Sequence, residues 1–222
     1  MARLLPLALA MTVAVAGPSS AQTVKTGRTK TGIAYDVQGR GPVVVLITGS
    51  NLDRRMWTRE AEWLAPTHTV VRYDLRAHGA SDAATIPFSN LEDLLGLLDE
   101  LAIEKAALVG LSAGSTIALD AALQAPSRVT QIVLAGPAIS GYVPKQVPAF
   151  TADLVAALQS RDYKRASEVL LKTPVFAAPP PSQALVRQMV MENDRLWTVP
   201  REMLKATPPA VDFARSAACD SN

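Results

Sequence analysis

The stretch of this chain best suited to chemistry is Gly110-Leu111-Ser112-Ala113-Gly114. It is a serine between glycines, set between an apolar run, Ala106-Ala107-Leu108-Val109, and a helix-like stretch starting Ser115-Thr116-Ile117-Ala118. A serine forced into a sharp strand-to-helix turn, a nucleophile elbow, presents its hydroxyl at the carboxyl edge of a sheet, above the positive end of the next helix. Gly110 and Gly114 are the expected flanking residues, because side chains there would collide with so tight a turn. The plainer alternative is a structural turn with the same residues. A serine hydroxyl is a weak nucleophile until a base takes its proton. The sequence holds two histidines, His68 and His78, and both precede Ser112.

The elements needed to hold such a turn are legible on either side. Thr23-Arg28 and Gly32-Val37, separated by Thr29-Lys30-Thr31, read as an antiparallel edge hairpin. Val43-Ile47 is continuously apolar, as expected of a parallel strand covered on both faces, and Thr69-Tyr73 is the next strand. Between Ser89 and Ala102 the leucines at 91, 94, 95, 98 and 101 fall on one helical stripe, and Ser89-x-x-Glu92 is a capping box. Ala106-Val109, a helix stopped by Pro126, and the strand Val129-Ala135 complete a run of βα units, the pattern of an α/β fold. Beyond Gly136, Val147-Leu158, Tyr163-Leu171, Gln183-Asn193 and Arg201-Lys205 read as short helices, broken by Ala177-Ala178-Pro179-Pro180-Pro181 and Thr207-Pro208-Pro209.

Composition narrows the function. With 222 residues, 49% of them hydrophobic, the chain can bury one sizeable core. A net charge of +2, with both signs interspersed, gives no reason to expect a nucleic-acid partner. Cys219 is the only cysteine, so an intramolecular disulfide and a cysteine metal cluster are both excluded, and no metal is expected. No G-x-G-x-x-G follows a strand, so no cofactor is expected. Arg3, the apolar run Leu4–Ala16 and Ser19-Ser20-Ala21 make residues 1–21 an expected export signal. The run falls short of the ~20 residues of a membrane span. The mature chain is expected to be secreted or periplasmic and free of the membrane.

Three segments carry a resemblance: Leu46-Ile47-Thr48-Gly49-Ser50, Tyr73-Asp74-Leu75-Arg76-Ala77-His78-Gly79-Ala80-Ser81, and Leu108 to Gly114. In this order and spacing the chain resembles the α/β-hydrolase superfamily over about residues 23 to 140. The resemblance implies a sheet with helices on both faces, with residues 22–140 as its core and 141–206 as a helical cap over the nucleophile. It implies Ser112 as nucleophile and the backbone N–H groups of Ser50 and Ala113 as the oxyanion hole, with Thr48 where the family has histidine. In the family the acid and then the histidine follow the nucleophile. Here the tail, 207–222, has no strand-like run, so the chain is expected to be C-terminally incomplete, with Val129-Ala135 left as a sheet edge open to self-association. His78 is a candidate substitute base, ranked below a structural place in its turn beside Asp74 and Arg76; His68 ranks lower still. Trp197, Met189, Met191, Phe150 and Phe176 are candidates to line an apolar pocket. The expected function is hydrolysis of a small or apolar ester through an acyl-enzyme on Ser112, impaired for want of a base. The alternative is a non-catalytic truncated relative, or a secreted binding protein that keeps the pocket.

Overall fold

The computed structural model describes residues 23–137, 139–140 and 147–205, so the expected signal segment and the whole of the tail, 207–222, lie outside the described residues. Strands β1 (Lys25–Arg28) and β2 (Ala34–Gly39) form the expected antiparallel hairpin. β3 (Val43–Ile47) leads through a 3-10 turn, Arg54–Trp57, into α1 (Thr58–Leu64) and then β4 (Thr69–Tyr73). After α2 (Asn90–Glu100) come β5 (Ala106–Leu111), α3 (Ala113–Gln124) and β6 (Val129–Ala135). The sheet has six strands in the order β1-β2-β4-β3-β5-β6. Strands β4, β3, β5 and β6 run parallel, and β2 joins them antiparallel.

β3 sits between two parallel neighbours, and that position explains its unbroken apolar sequence. Val45 and Ile47 pack with Val71, Tyr73 and the inner faces of α2 and α3. Val44, Leu46 and Val70 point the other way, onto Ala61 of α1 and Ala65 at its end. Each face needs its own apolar set, because successive strand residues alternate sides. Ser89 caps α2 by accepting from the Glu92 amide at 3.5 Å, and Leu91, Leu94, Leu97 and Leu98 are buried beneath it. α1 has no counterpart in the sequence reading. Only Ala61 of its residues is buried, and Trp63 is 80% exposed, so it lacks the apolar stripe by which a helix is recognised.

The remaining helices are α4 (Thr151–Gln159), α5 (Tyr163–Leu171) and α6 (Pro180–Glu192), followed by 3-10 turns at Asp194–Thr198 and Arg201–Met203. The proline run expected to break helices instead starts one, with Pro179 as its N-cap. A first-turn amide has no intrahelical acceptor, so proline is tolerated there. The helix expected at Arg201–Lys205 shrinks to a single 3-10 turn. This helical segment packs on the carboxyl ends of β3 and β5, where Met189 and Val190 are buried against Leu52 and Leu111.

Candidate active site

The elbow forms at the end of β5. Ser112 has φ 50° and ψ −115°, a left-handed conformation that costs a residue with a side chain about 1–3 kcal/mol, and it is exposed. Several bonds maintain the strain. The Ser112 amide donates to the Ala135 carbonyl at 2.9 Å, and its own carbonyl accepts from Ser115 and Thr116 as α3 begins. The wholly buried Ser115 hydroxyl lies 2.6 Å from the Gly110 carbonyl and 3.0 Å from that of Ala135, and accepts from the Ala135 amide at 3.1 Å. A Cβ on Gly110 would collide with the backbone of Gly114 and Ser115, and one on Gly114 with the Ile47 carbonyl. Close backbone approach, not a positive φ, is therefore what requires both glycines.

The loop after β3 faces this turn. A Cβ on Gly49 would stand 3.5 Å from the Ser112 Cβ, so the two backbones nearly touch. Ser50 and Ala113 line one cavity of about 440 Å³, and the Ala113 amide belongs to the first helical turn, whose donors have no intrahelical acceptor. Within the loop, the Thr48 hydroxyl and the Asn51 side-chain nitrogen are buried and find no hydrogen-bond partner among the described residues.

The turn after β4 is tied down as its residue types suggest. The wholly buried Asp74 accepts from the Arg54 and Ala80 amides, each at 2.8 Å, and pairs with the Arg54 guanidinium. Burial pushes its pKa above the ordinary carboxylate value, with the two amides and Arg54 pulling it back. Arg76 pairs with Asp93 and lies over the Phe88 ring at 5.2 Å. His78 has both ring nitrogens engaged: Nδ1 donates to the Arg76 carbonyl at 2.9 Å, and Nε2 accepts from the Asn51 amide at 3.2 Å. Burial lowers its pKa, so it stands neutral in this tautomer, bracing the Ser50 loop. His68 precedes β4, at the opposite end of the sheet from the elbow, a strand length of roughly 15 Å away. It is bonded to the neighbouring Thr67 hydroxyl at 2.8 Å.

Two cavities are lined by the chain neighbours of Ser112, one by Ala113 and the other by Leu111. Leu75, Phe88, Leu196, Val199 and Leu204 form the apolar wall of the one beside Ala113. A second, of about 250 Å³, lies beside Leu111 and Leu52, walled by Phe176, Leu185, Val186 and Met189. Of the candidate lining residues, Met189 and Phe176 are therefore in place, Phe150 lies on a separate polar hollow with Asp153 and Arg165, and Trp197 and Met191 line neither of these two cavities. Sequence reading missed Ser115 and Asn193. Neither belongs to a motif that could have flagged it.

Comparison with known proteins places the arrangement. A model of the alpha/beta hydrolase family matches residues 44–220. The chain is 36% identical over 103 residues to the pimeloyl-[acyl-carrier protein] methyl ester esterase of Methylococcus capsulatus, covering 46% of this chain and 40% of that protein. It is 34% identical over 157 residues to the rhodomycin D methylesterase DnrP of Streptomyces peucetius, covering 67% of this chain and 47% of the relative. The chain thus spans less than half the length of these curated relatives. A solved hydrolase from Pseudomonas aeruginosa PA01 superposes with a TM-score of 0.63 at 27% identity, over 80% of this chain and 72% of that one.

Proposed function

The chain belongs to the alpha/beta hydrolase family, and from that premise we propose that its site is that of a serine hydrolase acting on a small or apolar ester. The observation that carries the reading is Ser112: strained, exposed, its neighbours Leu111 and Ala113 each lining a largely apolar cavity, with the Gly49-Ser50 loop against it. The Ser112 Oγ attacks the ester carbonyl carbon and gives up its proton to solvent water, which returns one to the departing alkoxide. The carbonyl oxygen becomes the oxyanion between the Ser50 and Ala113 amides, and collapse of the tetrahedral species expels the alcohol and leaves an acyl-enzyme for water to cleave. Such donors each contribute about 2.7–4 kcal/mol to the transition state. The esterase relatives named above support the ester class. The N-terminal segment would carry the chain out of the cytoplasm.

Neither histidine of the sequence is placed to take the Ser112 proton: both ring nitrogens of His78 are engaged, and His68 lies at the opposite end of the sheet. The expected turnover is therefore slow, on the order of the 10³–10⁴ over water left to serine enzymes whose triad is broken. A second reading, a binding protein that keeps the pocket without turnover, rests on this same engagement of both His78 nitrogens. Mass spectrometry after exposure to an aryl fluorophosphonate, with p-nitrophenyl acetate hydrolysis alongside, separates the two. The hydrolase reading expects slow phosphonylation at Ser112 and slow ester cleavage, both lost in Ser112→Ala. An unlabelled wild-type chain would overturn it in favour of the binding protein.

A further inference from the structure

The loop that carries Ser50 is poorly satisfied from within. Thr48 and Asn51 bury polar atoms without partners, each such atom costing about 1–3 kcal/mol, and Asn51 itself takes a positive φ of 63°. A loop of this kind keeps its shape only if other elements hold it. One hold is His78, on the Asn51 amide. The other comes from far along the chain.

Asn193, 1% exposed at the carboxyl end of α6, places one carboxamide between three backbone segments. Its Nδ2 donates to the Asp53 carboxylate at 3.0 Å and to the Met189 carbonyl at 2.8 Å, and lies 3.4 Å from the Asn51 carbonyl. Its Oδ1 accepts from the Gly79 amide at 2.6 Å. The same residue thus grips the loop after β3 and the turn after β4 that braces it. The two cavities meet at this residue in sequence: Val186 and Met189, before it, wall one, and Leu196 and Val199, after it, wall the other.

We propose that Asn193 is a positioning residue that sets the place of the Ser50 amide, so that the oxyanion hole is formed only while the helical segment is docked. The catalytic consequence rests on the hydrolase reading given above; the structural tie does not.

Hydrogen exchange read by mass spectrometry on the full chain tests the tie directly. In Asn193→Ala, exchange in peptides covering Gly49–Asp53 and His78–Ser81 rises by about tenfold, with β3 to β5 unchanged, the signature of a local opening. Asn193→Asp keeps the volume and the acceptor for Gly79 but loses the donor to Asp53, so the first peptide opens and the second does not; it also serves if the alanine variant does not fold. Glu192→Gln, which breaks only the exposed pair with Arg55, leaves both peptides as they were. Unchanged exchange in both Asn193 variants overturns the proposal, and so does a uniform rise across the sheet, which would mean plain loss of stability. Fluorophosphonate labelling then reads the consequence: kinact falls by at least about tenfold with KI little changed. Labelling of Asn193→Ala at the wild-type rate would overturn the positioning role. A wild-type chain that does not label would sink the nucleophile instead, and the exchange result would still decide the tie.

Discussion

The two sides of Ser112 are built differently. Towards β4 and β2 the interior is ionic and paired: Asp36 bonds Arg54 and Arg72 at 3.0 Å each, Asp74 holds Arg54, and Asp53 holds Arg55 and Asn193. Towards β6 such pairing is sparser: among the described residues Arg128, just before the strand, pairs with Asp99 at 2.7 Å, and the buried Asp120 of α3 accepts from the Ser140 hydroxyl at 2.9 Å. Val129–Ala135 carries no charge, Ile132 and Val133 are 37% and 57% exposed, and among the described residues its pairing partner is β5 alone. The opposite edge of the sheet is short and begins and ends on charges, Lys25 and Arg28, a common way of discouraging further strand pairing. A buried charge must find its partner, so the first side has one arrangement. An uncharged, exposed strand accepts any chain that can pair with it.

The sharpest test of the ionic side is Asp74→Ala, which leaves Arg54 with Asp36 as its remaining carboxylate and removes the acceptor of the Arg54 and Ala80 amides. Urea unfolding should show a loss of about 3–5 kcal/mol, and a loss under 1 kcal/mol would mean that the network holds without its centre. Between the two sides stands Ser115, whose hydroxyl joins the elbow to β6. For Ser115→Ala the expected loss is about 1–3 kcal/mol, because the Ala135 amide is left unpaired; no change would show that β6 does not need the tie.

Acid distinguishes two carboxylates within the ionic side. Burial opposes ionisation of Asp53, but hydrogen bonds from Arg55 and Asn193 outweigh it and hold the pKa below the unfolded value of 3.8. Its stabilisation is therefore full above 3.8 and is lost as pH falls through the lower folded value. Asp74, with its pKa raised by burial, has the opposite sign: its ionisation weakens the fold as pH rises from 3.8 through the raised value. Chemical denaturation as a function of pH should show a flatter acid limb for Asp53→Asn and a steeper one for Asp74→Asn. Equal limbs would remove the distinction.

The smallest effect on stability belongs to the open side. Val133→Lys should change unfolding free energy by no more than about 0.5 kcal/mol. In sedimentation, however, the wild-type chain should associate with rising concentration, and the lysine variant should remain monomeric. A wild-type monomer at high concentration would show that β6 is already covered.

Local rules made much of the framework legible. The unbroken apolar run of Val43–Ile47 follows from burial on both faces, and the Ser89 cap and leucine stripe of α2 from helical periodicity. The glycines around Ser112 were legible because close backbone approach leaves no room for a Cβ. The helix at Thr58–Leu64 was not, since a helix with little buried surface has no apolar stripe to display.

What the sequence by itself determined, then, is the succession of strands, the helices with an apolar stripe and the turn that exposes Ser112, because each depends on neighbours a few residues away. Tertiary structure alone decided the rest. His78 reaches the Asn51 amide across 27 residues, Ser115 reaches Ala135 across 20, and Asn193 reaches Asp53 across 140. Such bonds join loops and helix ends that have no periodicity, and their partners are chosen only when folding buries a polar group that must then be paired.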